Sequence, residues 1–246
     1  MTARIRIGCS GWEYAHWRGD FYPTDVRRSR WLERYAGVFD TVELNNSFYR
    51  LPSTGTFAAW AGRLPDGFAM AVKASRYLTH LKRLRDPDEP LERLWRRAAR
   101  LGEHLGPMLY QLPPHWRRNP ERLAAFLRAL PADHDQAVEF RDPSWYHEEI
   151  YDLLAKHRVA LCLHDMRGSA SPGQPVGPFV YLRLHGSGER YGGRYSAGVL
   201  RRWAERLAGW AAEGRPAWVY FNNDTGGHAP RDAGRLCAAL ARRASA

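Results

Sequence analysis

Cysteine is scarce in this chain of 246 residues, in which Cys9, Cys162 and Cys237 are the only examples. The three are odd in number, lie far apart and have no spacing typical of metal ligands. This argues against a disulfide framework and against a structural zinc site. It also predicts a reducing, cytoplasmic environment, where thiols persist and disulfides are rare.

Long apolar runs are absent as well. No stretch approaches ~18 uncharged apolar residues, so we expect no transmembrane helix and no membrane partner. Residues 1–6 lead directly into the first predicted strand, which leaves no room for a signal peptide. No glycine-rich dinucleotide signature precedes a predicted helix, so the sequence predicts no cofactor and disfavours redox chemistry. Repeats and linkers are missing too, which predicts a single domain over residues 1–246.

Lysine occurs only at Lys73, Lys82 and Lys156, and arginine supplies the rest of the positive charge. The formal net charge of +11 is compatible with an anionic partner, including nucleic acid. The basic residue pairs are scattered along predicted helices, however, whereas a nucleic-acid surface usually concentrates charge on one face. A compositional bias toward arginine explains the charge better, and nucleic-acid binding stays open as an alternative. The oligomeric state is not predicted by the sequence.

Eight strand-like runs alternate with amphipathic helices, which is typical of parallel strands joined by helical crossovers. The strands are predicted over residues 5–10, 41–45, 68–74, 107–112, 137–141, 159–165, 179–185 and 217–222. The fold class is therefore α/β, a single-domain (β/α)8 TIM-like barrel, which typically needs ~250 residues. Residues 166–178 are rich in Gly, Ser and Pro where a helix should follow strand 6, so we expect an abbreviated crossover there.

A polar residue closes each predicted strand. Polar groups cost free energy in a buried strand unless they are paired or used, and their collection at strand ends is typical of a barrel active site. The sequence therefore predicts an enzyme, or a tight binder of a small ligand, with its site at the carboxyl-terminal mouth. The strand-end residues are Ser10, Asn45, Lys73, Gln111, Arg141, Asp165, His185 and Asn222.

Alternation along the strands indicates which side chains enter the barrel. In strand 2, Val42 and Leu44 point away from Glu43, and in strand 5 Val138 points away from Glu139. Because the outer face of a barrel packs on helices, the apolar set belongs outside. The polar set then lines the lumen near its mouth.

Ten short segments spread over almost the whole chain form a specific combination. They are residues 7–12 (IGCSGW), 16–19 (HWRG), 21–23 (FYP), 39–50 (FDTVELNNSFYR), 79–80 (TH), 111–114 (QLPP), 138–141 (VEFR), 144–145 (SW), 181–186 (YLRLHG) and 220–224 (YFNND). With this combination the chain resembles the domain of unknown function 72 family, the YecE-like proteins. The resemblance implies an α/β barrel, in agreement with the strand pattern. It implies no reaction, because the activity of that family is not established.

Four residues are candidates for proton transfer, namely Glu43, Glu139, His185 and Asp165. Carboxylates that face a partly dry lumen suit acid or base work, and His185 ends its strand beside a glycine loop. If the two glutamates work in an open cavity, Glu139→Gln and Glu43→Gln should destabilise the fold by only ~1 kcal/mol, or even stabilise it.

Structural ion pairs are the alternative for both glutamates. Glu43 would then pair with Lys73 on the adjacent strand, and Glu139 with Arg141 on its own strand. Lys73 itself has two possible roles. It could be a Schiff-base nucleophile, but the sequence favours a charge partner of Glu43 or a phosphate anchor.

The predicted substrate-binding residues offer cations, amides and an aromatic ring, which suit anions and hydroxyl groups. They are Ser10, Trp12, Asn45, Lys73, His80, Gln111, Arg141, Arg183, Asn222, Asn223 and Asp224. Glu139, Asp165 and His185 could together hold a divalent metal. We predict no metal, because three cations of the same lumen nearly balance its carboxylates.

The sequence as a whole predicts a hydrolase or lyase that acts on a phosphorylated or otherwise anionic, hydroxyl-rich substrate by carboxylate and histidine acid-base chemistry. A bound anion is expected near Arg141, Arg183 or the loop of residues 186–195. The alternative is a nucleic-acid or nucleotide-binding barrel, either non-catalytic or a nuclease.

Overall fold

The computed structural model describes residues 2–188 and 191–244. The strands of this part of the chain are β1 (Ile5–Cys9), β2 (Thr41–Leu44), β3 (Ala69–Lys73), β4 (Leu105–Gln111), β5 (Gln136–Glu139), β6 (Ala160–His164), β7 (Val180–Leu184) and β8 (Ala217–Phe221). Its α-helices are α1 (Trp31–Ala36), α2 (Thr54–Ala61), α3 (Asp88–Ala98), α4 (Pro120–Arg128), α5 (Glu148–Lys156), α6 (Ala197–Ala212) and α7 (His228–Ala244).

The eight strands form a nearly closed parallel barrel. Their order in the sheet is β1-β8-β7-β6-β5-β4-β3-β2, and a parallel bridge between Ser10 and Glu43 links its two ends. The predicted (β/α)8 TIM-like barrel is confirmed. Each observed strand ends one or two residues before its predicted end, so residues such as Ser10 and Asn45 lie just beyond the ladder at the barrel mouth.

The abbreviated crossover after β6 is also confirmed. Residues 165–179 form turns and bends without a helix before β7 begins. Gly177 has a φ of 89°, and a Cβ there would lie 2.5 Å from the Val159 carbonyl oxygen. Only glycine fits such a close approach of two backbone segments. The short crossover leaves this side of the mouth covered by a loop instead of a helix.

Below the mouth the lumen is packed with side chains. Small residues from β3, β5 and β6 face large aromatic residues from β7 and β8, and Tyr181 and Tyr220 lie with ring centroids 5.3 Å apart. The outer strand faces pack on the helices, with Val42 and Leu44 among the buried residues of that core. The predicted alternation is therefore correct, and the packed floor confines any ligand site to the carboxyl-terminal end.

Helix ends follow the local sequence. Asn119 caps α4 by accepting a hydrogen bond from the Arg122 backbone N–H at 2.8 Å, and Pro120 occupies the first helical position. Ser196 caps α6 in the same way, through the N–H of Val199. No helix within residues 2–188 and 191–244 has the length and apolar character needed to cross a membrane.

Candidate active site

An ion-pair network lies across the top of the packed lumen. Arg183 extends from β7 and donates to the Glu43 carboxylate through Nε (3.0 Å to Oε2) and Nη2 (2.8 Å to Oε1). Its Nη1 donates to Glu139 Oε2 at 2.8 Å. The exposed fraction is 0% for both glutamates and 1% for Arg183. One guanidinium thus bridges carboxylates that come from opposite sides of the barrel.

The network includes further donors to Glu43. Tyr181 donates its hydroxyl to Oε2 at 2.7 Å, and Ser10 donates its hydroxyl to Oε1. Burial alone would raise the pKa of the Glu43 carboxyl, but the charge and hydrogen bonds of Arg183 outweigh it and lower the pKa. The pairing of Glu43 with Lys73 that the sequence offered is wrong, because the longer Arg183 side chain reaches across the lumen to Glu43.

Two arginines hold the Glu139 carboxylate in place. It pairs with Arg141, which is the structural alternative that the sequence left open, and also with Arg183. Burial opposes ionisation, but these two cations hold the pKa of Glu139 well below its usual range. Both glutamates are therefore ionised and shut off from solvent, so the open, water-filled surroundings assumed for them are wrong. Their catalytic role stays a prediction, and the geometry favours a role in positioning the arginines.

An open cavity of about 560 Å³ lies above the network. Its lining comprises Gln111, Pro114, His115, Arg141, Met166, Arg167, Gly168, Ser169, His185, Gly186, Gly188 and Tyr191. Arg141 therefore connects the two layers, because it pairs with Glu139 below and borders the cavity above. Gln111, Arg141 and His185 are the predicted site residues that reach this cavity.

His185 is oriented by its neighbours. Arg141 Nη2 lies 3.1 Å from His185 Nε2, and since a guanidinium can only donate, Nε2 accepts and the ring proton belongs on Nδ1. Burial, together with Arg183 and Arg141, lowers the His185 pKa to about 4, so the ring is neutral at pH 7. Asp165 Oδ1 accepts from the His185 backbone N–H at 2.7 Å and lies 3.8 Å from Nδ1. Asp165 thus positions a neutral base.

Lys73 and His80 form a second group beside the network. The Lys73 ammonium lies 4.1 Å from the centroid of the Phe48 ring, and that ring packs edge-on against His80 at 4.9 Å. Among the described residues, no carboxylate comes within ion-pair distance of Lys73, which is 6% exposed. Burial, reinforced by Arg183, lowers the pKa of Lys73 to about 7. Burial and the nearby cations lower the pKa of His80 to about 4.

The other predicted binding residues lie away from this centre. Trp12 packs on Trp60 and borders a smaller cavity of about 210 Å³ together with Asn45. Asn223 holds a loop in place by donating to the Gly193 carbonyl and to Asp232. Two more predicted residues follow β8: Asn222 is buried, and Asp224 lies 3.7 Å from His16. None of these residues lines the larger cavity.

The alternative metal ligands Glu139, Asp165 and His185 do not converge. Both Glu139 oxygens face arginines, and Asp165 is engaged by Tyr195 and by the His185 backbone. Across residues 2–188 and 191–244, no three His, Cys, Asp or Glu side chains are grouped to hold a metal ion. The donor set of the mouth therefore suits an anion better than a cation.

Several residues of the site were missed from the sequence. His164, not Asp165, continues the lumen face of β6 above Cys162, and its ring lies 5.9 Å from that of His185. Counting in steps of two from Cys162 would have found it. Arg167 and Met166 lie in the abbreviated crossover of residues 166–178, and no local pattern indicates that they border the cavity. Arg190, in the loop after β7, lies outside the described residues.

Removing the buried amine is expected to stabilise the protein. We predict that Lys73→Met raises the free energy of unfolding at pH 7 by ~1–3 kcal/mol, since one pKa unit corresponds to ~1.4 kcal/mol. Between the folded pKa of about 7 and the usual lysine pKa of 10.5, the unfolded chain holds a proton that the folded chain has released. Wild-type stability therefore rises with pH in this window.

Because the wild type becomes more stable as the pH rises, the difference in free energy of unfolding between Lys73→Met and the wild type should shrink between pH 7 and ~10. Denaturant unfolding at several pH values measures this difference. Lys156→Met on the exposed end of α5 is the matched control, and it should change little at any pH. A loss of stability for Lys73→Met at pH 7 would show that the amine is satisfied in the fold.

Comparisons with known proteins agree with the fold. The chain is similar to the UPF0759 protein YunF of Bacillus subtilis (strain 168), with 26% identity over 92% of this chain and 90% of that protein. It is also similar to the UPF0759 protein YecE of Escherichia coli (strain K12), with 30% identity over 58% of this chain and 50% of that protein. These names state no activity.

Solved structures match the barrel over almost its full length. A DUF72 family protein from Thermotoga maritima MSB8 superimposes with a TM-score of 0.87 at 29% identity, covering 97% of this chain and 99% of that chain. A DUF72 family protein from Enterococcus faecalis V583 has a TM-score of 0.81 at 21% identity, which supports the fold alone. The family model described as "Protein of unknown function DUF72" matches residues 6–246, and the chain therefore belongs to the DUF72 family.

Proposed function

We propose that this protein is an enzyme of the hydrolase or lyase class that binds a small anionic, hydroxyl-bearing molecule at the barrel mouth. The observation that carries the proposal is the charge of the layer beneath the cavity. Arg183 lies between Glu43 and Glu139, so those two carboxylates are already engaged from below. Arg141 also pairs with Glu139, so two arginines balance the two glutamates, and the ammonium form of Lys73 leaves one positive charge in excess. An anion is the ligand that balances it.

The cavity wall supports the same conclusion. Arg141 and Arg167 border it from two sides, and a guanidinium is suited to the two-oxygen recognition of phosphate or carboxylate groups. His115 and the backbone of Gly186 and Gly188 complete this wall. Gln111 offers an amide that can bind substrate hydroxyls as donor and acceptor.

Proton transfer is assigned to His185. Its ring is neutral at pH 7 and borders the cavity, and Asp165 fixes its orientation. A neutral imidazole with an accepting nitrogen can take a proton from a substrate hydroxyl or water. This nitrogen accepts a hydrogen bond from Arg141, so an anion that engages Arg141 would free it for proton transfer. Glu43 and Glu139 serve this arrangement by holding Arg183 and Arg141 in place.

Binding of anions is tested by thermal unfolding and by calorimetry with inorganic phosphate, pyrophosphate and glycerol 3-phosphate. A ligand at 100 times its Kd should stabilise the wild type by ~2.7 kcal/mol. We expect Arg167→Met, at an exposed position of the cavity wall, to weaken binding about tenfold without unfolding the protein, and Arg141→Met to abolish it. Arg231→Met, which removes an exposed pair with Asp20, is the control and should bind as the wild type does.

The anion site would be excluded if none of the three anions binds. It would also be excluded if Arg167→Met and Arg141→Met both bind the anions as tightly as the wild type does. The nucleic-acid alternative is tested in parallel with an unspecific DNA duplex at several salt concentrations. Affinity that falls steeply with salt would favour it. The cytoplasmic location stays a prediction from cysteine usage.

A further inference from the structure

Among the described residues, Lys73 differs from the glutamates and arginines of the lumen because it has no ion-pair partner. Its side chain leaves the end of β3 and is 6% exposed. The nearest charged residues on other strands are already paired, since Arg183 engages Glu43 and Glu139, and Arg141 also engages Glu139. No hydrogen bond or ion pair to its ammonium is found among residues 2–188 and 191–244. A buried charge without a partner is unstable unless the group gives up its proton.

The surroundings of Lys73 are those of a reactive amine. Phe48 covers one side at 4.1 Å and provides an apolar wall. Burial is the largest effect against the ammonium form, and the positive charges of Arg183 and Arg141 add to it. The negative charges of Glu139 and Glu43 favour the ammonium form, but less strongly than burial opposes it. The pKa of about 7 leaves about half of the side chain as a free amine at neutral pH. Burial and neighbouring cations are the two known ways to activate a lysine as a nucleophile.

The segment after Lys73 contains a π-helical turn followed by residues with positive φ angles. Residues Tyr77–Leu81 form a single turn of π-helix, a feature that is frequent at functional sites. Arg83, Leu84 and Asp86 follow with φ angles of 47°, 63° and 39°, which are unfavourable for residues with a Cβ. This turn brings His80 against the Phe48 ring that also contacts Lys73. His80 is neutral at pH 7, because burial and nearby cations lower its pKa to about 4.

We infer that Lys73 is a covalent catalytic residue that forms an imine with an aldehyde or ketone group of the substrate. This inference rests on the proposed function, since the carbonyl compound would be held by its anionic group at Arg141. It narrows the substrate class to anionic carbonyl compounds such as sugar phosphates in their open form. It also narrows the reaction to lyase chemistry, because a protonated imine withdraws electrons from the bond next to the former carbonyl carbon.

The covalent step balances without any further reagent. The amine lone pair of Lys73 forms a C–N bond with the carbonyl carbon, and the π electrons of the C=O bond move to oxygen. One amine proton is transferred to that oxygen, which becomes a hydroxyl group. A second proton, taken up from solvent, reaches the resulting hydroxyl group. The C–O bond then breaks with its electron pair on oxygen, water leaves, and the nitrogen lone pair forms the C=N bond of the protonated imine. Hydrolysis of the imine by the same steps in reverse regenerates Lys73.

The test uses the scarcity of lysine in this chain. The full-length protein is incubated at pH 7 with dihydroxyacetone phosphate, or with uncharged dihydroxyacetone, and the imine is reduced with sodium borohydride. Peptide mass spectrometry then reports the adduct at Lys73, Lys82 and Lys156 separately. We expect the adduct at Lys73 to exceed that at either other lysine at least tenfold, because an ordinary lysine is less than ~0.1% amine at pH 7.

Three variants complete the test. Lys73→Met should lose the adduct, and Lys156→Met should retain it; if Lys73→Met does not fold, the site assignment in the wild type decides. In Arg141→Met, the adduct from dihydroxyacetone phosphate should fall to the level given by dihydroxyacetone. The imine proposal would be overturned if labelling is spread evenly over the three lysines. It would also be overturned if neither compound labels Lys73.

The two proposals fail in different ways. If both compounds label Lys73 equally in the wild type, the imine stands and the anion site at Arg141 is excluded. If inorganic phosphate stabilises the wild type but not Arg141→Met, while Lys73 remains unlabelled, the anion site stands and the imine is excluded.

Discussion

Arg183→Met is expected to lower the free energy of unfolding at pH 7 by ~3–5 kcal/mol, the usual loss when a buried ion pair loses one partner. Glu139 would retain Arg141, but Glu43 would keep only the hydroxyl groups of Ser10 and Tyr181. The penalty should shrink as the pH falls from 7 toward 4. The reason is that, without Arg183, burial raises the pKa of Glu43 in the variant, so the stranded carboxylate takes up a proton on acidification. In the wild type Arg183 lowers that pKa, and Glu43 stays ionised over the same range.

A second substitution separates stranded charge from lost packing. Arg183→Met combined with Glu43→Gln should be more stable than Arg183→Met alone, because the double variant no longer buries an unpaired carboxylate. Arg231→Met on the exposed part of α7 is the control and should change stability by less than ~0.5 kcal/mol. Urea unfolding of the four proteins at pH 7 and pH 4.5 measures all of these effects. If the double variant is no more stable than the single one, the stranded-charge explanation is incorrect.

Glu139→Gln is expected to cost a similar ~3–5 kcal/mol at pH 7, since it leaves Arg141 and Arg183 with one carboxylate between them. Glu43→Gln should cost less than Glu139→Gln. In that variant, Arg183 still pairs with Glu139. The single amide oxygen can accept from either Ser10 or Tyr181, which donate to different carboxylate oxygens of Glu43 in the wild type. Thermal and urea unfolding of both variants beside the wild type test this order.

The expected result for Glu139→Gln differs from the ~1 kcal/mol that the sequence alone predicts. That estimate assumed that water or Glu43 could compensate Arg141 in an open lumen. The exposed fraction of both glutamates is 0%, so water is not available, and Glu43 is engaged by Arg183. A small change for Glu139→Gln would indicate that the cavity above admits water to the network in solution.

The barrel itself could be predicted because the information is local. Each strand is a short apolar run bounded by turn residues, and the period of two distinguishes the lumen face from the helix face. Val42 and Leu44 against Glu43 illustrate this, and the structure places all three as the alternation requires. The missing helix after β6 could be predicted for the same reason, since Gly, Ser and Pro dominate that segment.

The sequence-based prediction of site residues is wrong where successive residues of a strand point to opposite faces and the strand end is misplaced by one position. Asp165 is the last polar residue of the predicted strand 6, but His164 occupies the lumen face above Cys162. A shift of one residue exchanges the two faces of a strand, so an error of one position in a strand end reverses the assignment. The amide of Asn223 suits a ligand hydroxyl or a loop scaffold equally, and the structure has it bonded to Asp232 and a loop carbonyl.

The sequence by itself determined the fold class, the eight strands, their lumen faces and the set of polar residues that collect at the mouth. Only the tertiary structure decided how those residues pair. The sequence pattern shows that Glu43, Lys73, Glu139, Arg141 and Arg183 share one lumen, but the length and direction of each side chain decide which charges meet. Arg183 spans the barrel and engages two carboxylates, and within the described part of the chain no carboxylate remains at ion-pair distance from Lys73. Charge pairing across a barrel depends on distances between strands that are far apart in sequence, and local patterns carry no information about those distances.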